Sequence, residues 1–227
     1  NWIAKMRTVK IQWITTSLSI LIPVVSIAWG IDLYRALGLN LFGEQVLSLI
    51  LALVLPLTFL RYPAVGRASD QREKIPFYDI VAAILGFSCA LYIAFEYPRI
   101  FEELYARPFD ATILGAVLIL LVVEGLRRTA GAFLALIVLF FLAFALFGHF
   151  VPGDLQGRQV ALDRLIVYLA IDSNGMLGLP MVVSSTIVVA FVIFGNLLTK
   201  SGGGDFFTDM SMTVMGRYRG GSAKIAV

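Results

Sequence analysis

Charges are absent from six long stretches of this sequence, and each stretch is apolar. Ile11 to Ile31 runs 21 residues without a charge, Gln45 to Leu60 and Ile80 to Phe95 run 16 each, Ala111 to Val123 runs 13, Gly131 to Gly148 runs 18 and Met176 to Thr199 runs 24. A helix needs about 20 apolar residues to cross some 30 Å of hydrocarbon. With 59% hydrophobic and 15% charged residues, the chain lies far from a soluble globular domain. The expected fold class is an all-α integral membrane protein of about six transmembrane helices plus amphipathic interfacial helices.

The Ala111–Val123 run is short enough to be a buried helix instead of a span, and the basic residues decide between the two. With six spans, one side collects Lys5, Arg7, Lys10, Arg61, Arg67, Arg72, Lys74, Arg127, Arg128, Lys200, Arg217, Arg219 and Lys224. The other collects only Arg35, Arg99, Arg107, Arg158 and Arg164. Removing the fourth span would erase that asymmetry, so six spans with a cytoplasmic N-terminus are expected. Trp13 and Trp29 mark the two interfaces of the first span. The net charge of +3 is thus a topology signal, because the basic residues are scattered between apolar runs and form no face for nucleic acid.

Two connections carry their own periodicity. Residues 158–170 place Leu162, Leu165, Ile166, Leu169 and Ala170 on one helical face, with Arg158, Asp163 and Arg164 off it, which predicts an amphipathic helix lying on the outer surface or against the spans. Residues 96–107 repeat this more weakly, with Ile100, Phe101, Leu104 and Tyr105 against Glu102 and Glu103.

Little here could do covalent chemistry. One cysteine, Cys89, excludes a disulfide framework, and one histidine, His149, excludes a histidine-cluster metal site. With no paired intramembrane carboxylates either, no enzyme is expected, and neither catalytic, cofactor nor metal residues are assigned. Cys89 shares a small-residue face with Ala82, Ala83, Gly86 and Ala90, suited to close helix packing. His149, at the outer end of the fifth span, reads as a surface residue. The hydroxyls of Ser184, Ser185 and Thr186 could bond a ligand, but in membrane helices such groups usually bond back to their own helix or to a neighbour.

Glu124, with Arg127 and Arg128 at i+3 and i+4, is the conspicuous ionisable cluster. It admits two readings, an intramembrane proton or ion relay, or an interfacial cluster in which Glu124 pairs locally and the arginines fix orientation. Its place at a helix end favours the second. Ser201-Gly202-Gly203-Gly204-Asp205 cannot continue a helix cheaply. It predicts a hinge, after which Asp205 caps a short interfacial helix bearing Phe206, Phe207, Met210, Val214 and Met215, closed by the basic turn Arg217–Gly221.

The string from Gly195 through Lys200-Ser201-Gly202-Gly203-Gly204-Asp205-Phe206-Phe207 to Gly216-Arg217-Tyr218-Arg219-Gly220-Gly221-Ser222-Ala223-Lys224-Ile225-Ala226-Val227 resembles the large membrane subunit of tripartite ATP-independent periplasmic (TRAP) transporters, in the version fused to the small membrane subunit. Glu124-Gly125-Leu126-Arg127-Arg128 is similar to the Glu-Ala-Thr-Arg-Arg of that fused form, departing at Gly125 and Leu126, and Gly175 to Pro180 resembles the family's lead into the following span. The resemblance is good from about residue 111 onward; before that it is one of hydropathy.

The resemblance implies a binding-protein-dependent, sodium-coupled secondary transporter of small carboxylates in a bacterial inner membrane. Its partners would be a periplasmic substrate-binding protein, the remainder of the large permease subunit and the lipid bilayer. Sodium enters only as the coupling ion of the parent transporter; no cofactor is expected on this segment. Residues 1–128 would form a four-span scaffold like the small subunit, and 129–227 would begin the large subunit. Because the chain opens on Asn1 and stops at Val227 without a terminal signal, it is expected to be a piece of a longer protein, with substrate and sodium ligands beyond Val227. The competing reading is a non-transporting membrane scaffold or assembly subunit.

Overall fold

In the computed structural model every one of the six apolar stretches is a helix long and apolar enough to cross a membrane: Gln12–Gly30, Gly43–Arg61, Phe77–Glu102, Phe109–Thr129, Ala132–Phe150 and Leu179–Lys200. The structure describes residues 2–64, 75–103, 108–153 and 156–215, with side chains described from 12 to 213. No strand occurs among them. In chain order the helices are α1 (Trp2–Gly30), α2 (Leu33–Ala36), α3 (Gly43–Arg61), α4 (Phe77–Glu102), α5 (Phe109–Thr129), α6 (Ala132–Phe147), α7 (Leu162–Ala170), α8 (Leu179–Val183), α9 (Val189–Lys200) and α10 (Gly203–Met215). A π-helical turn over Ser184–Val188 joins α8 to α9, so the sixth span is continuous.

The core is the α3–α4 seam, with α5 packed on it. On α4 a buried stripe runs through Asp79, Ala83, Gly86, Ala90, Ile93, Tyr97 and Ile100, with Cys89 and Ala94 buried beside it. The stripe positions alternate steps of four and three residues, a 3.5-residue period that keeps one stripe facing a partner helix along the whole contact. Small residues let the backbones approach: a Cβ on Gly86 would stand 3.0 Å from Leu55 Cβ. Cys89 is buried beside this stripe, in the packing role its neighbours predict. Hydrogen bonds then cross the seam, from Ser48 Oγ to the Ala90 carbonyl (2.7 Å) and from Gln45 Nε2 to the Ala94 carbonyl (2.9 Å). Gln45 Oε1 also accepts from the Phe42 backbone N–H (3.0 Å), satisfying a donor at the start of α3.

Helix ends depart from the apolar runs in informative ways. The fourth span, α5, is 21 residues long although its uncharged run is 13, because Asp110 at one end and Glu124, Arg127 and Arg128 at the other are helical and pair with other charges. Residues 96–102 form no separate amphipathic helix but continue α4 through Pro98, held by Arg99 bonding Glu96 and Glu103. Ile100 is buried and Phe101 is exposed; Leu104 and Tyr105 lie outside the described residues. The helix expected over 158–170 begins only at Leu162, since the chain before it is tied to the end of α6 by the Gly157 N–H on the Gly148 carbonyl (3.0 Å). That helix packs on α5: a Cβ on Gly115 would stand 3.0 Å from both Ile166 Cγ2 and Ala170 Cβ. Val167 is buried and Leu162 faces outward, a rotation of the expected face.

Candidate functional site

Three features of the described residues gather polar groups: a charged cluster at the end of the bundle where α3 finishes and α4 begins, a second cluster at the opposite end, and the break between α9 and α10.

At the first, Glu124, Arg127 and Arg128 occupy the last two turns of α5. Glu124 Oε2 accepts from Arg127 Nε (2.7 Å), and Oε1 accepts from Arg127 Nη2 (2.8 Å) and Arg128 Nε (2.7 Å). So far this is the local pairing that the i+3 and i+4 spacing predicts. The arginines also reach other helices. Arg127 Nη2 donates to the Ala64 carbonyl (3.0 Å), and Arg128 Nη1 donates to the Tyr62 carbonyl (3.2 Å) and to Asp79 Oδ1 (2.7 Å). The Arg128 guanidinium lies over the Phe59 ring, 4.8 Å from its centroid.

One residue of α5 thus ties the end of α3 to the first turn of α4. Carbonyls at a helix C-terminus have no partner in their own helix, and arginine donors supply one here. Within these pairs the two carboxylates balance the two guanidiniums, so the buried Asp79 and Arg128 cost less together than either would alone. Its geometry is that of a clamp: the Glu124 oxygens are engaged by guanidinium donors and do not lead along the bundle. Asp79 escaped the sequence reading because a charge ends an apolar run, which placed it outside the third span. The signal was its register, since it heads the buried stripe of α4.

At the opposite end Arg99 joins α4 to α5. It donates from Nε to Glu96 Oε2 (2.7 Å) and from Nη2 to Asp110 Oδ2 (2.5 Å) and the Tyr92 hydroxyl oxygen (3.1 Å). Its side chain is 40% exposed, so these pairs fix geometry more than they add stability. At the end of α6, His149 Nδ1 stands 3.1 Å from the Leu146 carbonyl and its ring packs on Phe150, a local arrangement.

The glycine break falls where the sequence places it, with a different division of labour. Helix α9 ends at Lys200, and Ser201 and Gly202 form the turn, with the Ser201 N–H on the Leu197 carbonyl (2.8 Å). Gly202 has φ +76°, the left-handed region in which glycine ends helices without a steric penalty. Helix α10 then starts at Gly203, two residues before the expected cap. The Gly202 carbonyl accepts the first bond, from Phe206 N–H (3.0 Å), and Asp205 sits inside the first turn, where its charge complements the helix dipole. Gly203 is tightly placed, since a Cβ there would meet Leu198 Cδ1 at 2.5 Å. Gly204 has open space. Phe206, Phe207 and Met210 of α10 are exposed; the side chains of Val214 and Met215 and the basic turn Arg217–Gly221 lie outside the described residues.

The hydroxyls of the sixth span bond back to their own helix. Ser184 Oγ donates to the Pro180 carbonyl (2.7 Å), Ser185 Oγ to the Val182 carbonyl (3.2 Å) and Thr186 Oγ1 to the same Val182 carbonyl (2.7 Å). The lead into this span is built on glycine: a Cβ on Gly175 would collide with the Tyr168 carbonyl oxygen, and one on Gly178 with that of Ser173. Among the described residues no group of three or more His, Cys, Asp or Glu side chains is placed to hold a metal ion.

Compared with known protein families, residues 117–227 match the model of the tripartite ATP-independent periplasmic transporter, DctM component. The match runs from within α5 through α6, α7, the sixth span and the glycine break, so the clamp arginines, the Gly175–Pro180 turn and the Ser201–Gly202 turn all lie in the matched segment. DctM proteins are components of a transporter, not an enzyme family. No curated protein and no solved structure matches the chain.

Proposed function

We propose that this chain is the membrane-permease part of a secondary transporter that takes up small organic acids with sodium, fed by a periplasmic substrate-binding protein, in a bacterial inner membrane. The observation that carries the reading is the DctM match over 117–227, which includes the whole hinge from Ser201 to Asp205. The break offers what a transporter needs at a moving joint, two rigid helices meeting at a left-handed glycine. Residues 1–128 act as the scaffold and 129–227 open the transport subunit; the family match begins earlier, at residue 117, so α5 is the helix where the two parts meet, and the clamp of Asp79, Glu124, Arg127 and Arg128 ties it to α3 and α4. The excess of basic residues at the end of the bundle holding Arg61, Arg127, Arg128 and Lys200 supports a cytoplasmic N-terminus.

The scaffold reading is favoured, for residues 43–129, by one observation: the charges joining α3, α4 and α5 are engaged with one another. Uptake separates the two. The complete product of the gene is reconstituted in liposomes under an inward sodium gradient, a loaded binding protein is added outside, and labelled organic acid is followed. Accumulation that needs both sodium and the binding protein supports transport. Accumulation no greater than in empty liposomes leaves the scaffold.

A further inference from the structure

Between the first and sixth spans runs a cleft of about 550 Å³, lined on one side by Ser26, Gly30 and Ile31 and on the other by Thr186, Ala190 and Phe194. Its size lies in the ~300–1,000 Å³ range of ligand clefts. The walls are apolar apart from the two hydroxyls, and these differ. Thr186 spends its hydrogen on the Val182 carbonyl, 2.7 Å away. Ser26 is 2% exposed, and its Oγ is the one buried side-chain polar atom without a partner among the described residues. An unpaired buried hydroxyl carries a desolvation penalty.

Depth and charge narrow what could supply the missing acceptor. Ser26 lies four residues inside the end of the span at Gly30, about 6 Å at 1.5 Å per residue. That is the level where acyl chains join their glycerol esters beneath the headgroups. At this end Trp29 stacks on Tyr34 (centroids 4.8 Å apart), and α2 presents Arg35, whose side chain is 72% exposed, with Nε 3.9 Å from Asp32 Oδ1 and 2.9 Å from the Tyr34 hydroxyl oxygen. Reading inward from that end, the chain offers a cation, then a hydrogen-bond donor, then an apolar trough ending at Phe194. An inorganic cation does not fit this order, because two hydroxyls in an apolar trough do not replace a hydration shell.

We propose that the cleft between α1 and the sixth span holds a diacyl glycerophospholipid. One acyl chain lies along Ala190 and Phe194, its ester carbonyl accepts from Ser26 Oγ, and its phosphate is drawn toward Arg35. The π-helical turn at Ser184–Val188, which contributes Thr186 to the cleft wall, shapes this trough.

The probe is dioleoyl phosphatidylglycerol, titrated onto the delipidated complete gene product and counted by native mass spectrometry. Its dialkyl ether analogue, which has no ester carbonyl, and dioleoylglycerol, which has no phosphate, serve as comparisons. The ester lipid should bind about fivefold more tightly than the ether, the worth of one neutral hydrogen bond. Ser26→Val should abolish that preference without lowering thermal stability, since the hydroxyl has no partner to lose. Ala190→Trp, which fills the trough, should remove the tight site, and dioleoylglycerol should bind more weakly than the phospholipid. Equal affinity for ester and ether on the unaltered protein, or a tight site that survives Ala190→Trp, overturns the proposal.

Discussion

Arg128 Nη1 stands 2.7 Å from Asp79 Oδ1, and the two side chains are 4% and 0% exposed. Forty-nine residues separate them in sequence, so this pair, with the Tyr62 carbonyl on the same guanidinium nitrogen, fixes where α4 begins relative to the ends of α3 and α5. Removing Asp79 leaves the buried Arg128 guanidinium with only Glu124 and the Tyr62 carbonyl as partners. Asp79→Leu should cost about 3–5 kcal/mol. Pairing it with Arg128→Met should return a large part of that, read as the difference in thermal unfolding between the single and double variants in one detergent.

The α3–α4 seam makes a prediction about two glycines in similar helices. Gly86→Ala pushes a methyl against Leu55 Cβ, an atom fixed to its own backbone, and should destabilise by about 1–3 kcal/mol. Gly195→Ala meets nothing within 4 Å and should stay within about 0.5 kcal/mol of the parent or gain slightly from helix propensity. Thermal melts of the two variants side by side decide it.

The glycine break should be graded, not uniform. Gly202→Ala forces a left-handed residue to carry a Cβ, at about 1–2 kcal/mol. Gly203→Ala displaces Leu198, whereas Gly204→Ala enters open space. Uptake by the complete gene product should therefore fall for Gly202→Ala, fall for Gly203→Ala, and hold for Gly204→Ala, at equal amounts inserted in the membrane. Equal uptake by all three would make the break a plain linker.

Much of this architecture is legible in the order of residues. An apolar run long enough to span forms a helix whatever its neighbours do, because an unsatisfied backbone in hydrocarbon is too costly to tolerate. For the same reason the hydroxyls of Ser184, Ser185 and Thr186 turn back on their own helix. What the sequence hid were the charges. Asp79 and Asp110 look like the ends of apolar runs, and only the fold shows that Arg128 and Arg99, each on another helix, are their partners. The unpartnered Ser26 is hidden in the same way, since a serine in a membrane helix normally finds a carbonyl and nothing local marks the exception. The start of α10 was misplaced because Asp205 is a good cap by residue type, while the left-handed turn falls at Gly202.

Sidedness is the claim on which the scaffold, hinge and transport readings all depend, and single-cysteine labelling tests it directly. In a Cys89→Ala background, cysteines at Leu37 and Val160 are compared with cysteines at Ala130 and Ser201 in intact cells, using a membrane-impermeant maleimide. Three helices long enough to span, α3, α4 and α5, separate residue 37 from residue 130. The prediction is labelling at 37 and 160 without permeabilisation and at 130 and 201 only after it. Labelling of 37 and 130 from the same side would contradict the six-span bundle, and labelling of 130 and 201 alone from outside would invert its orientation.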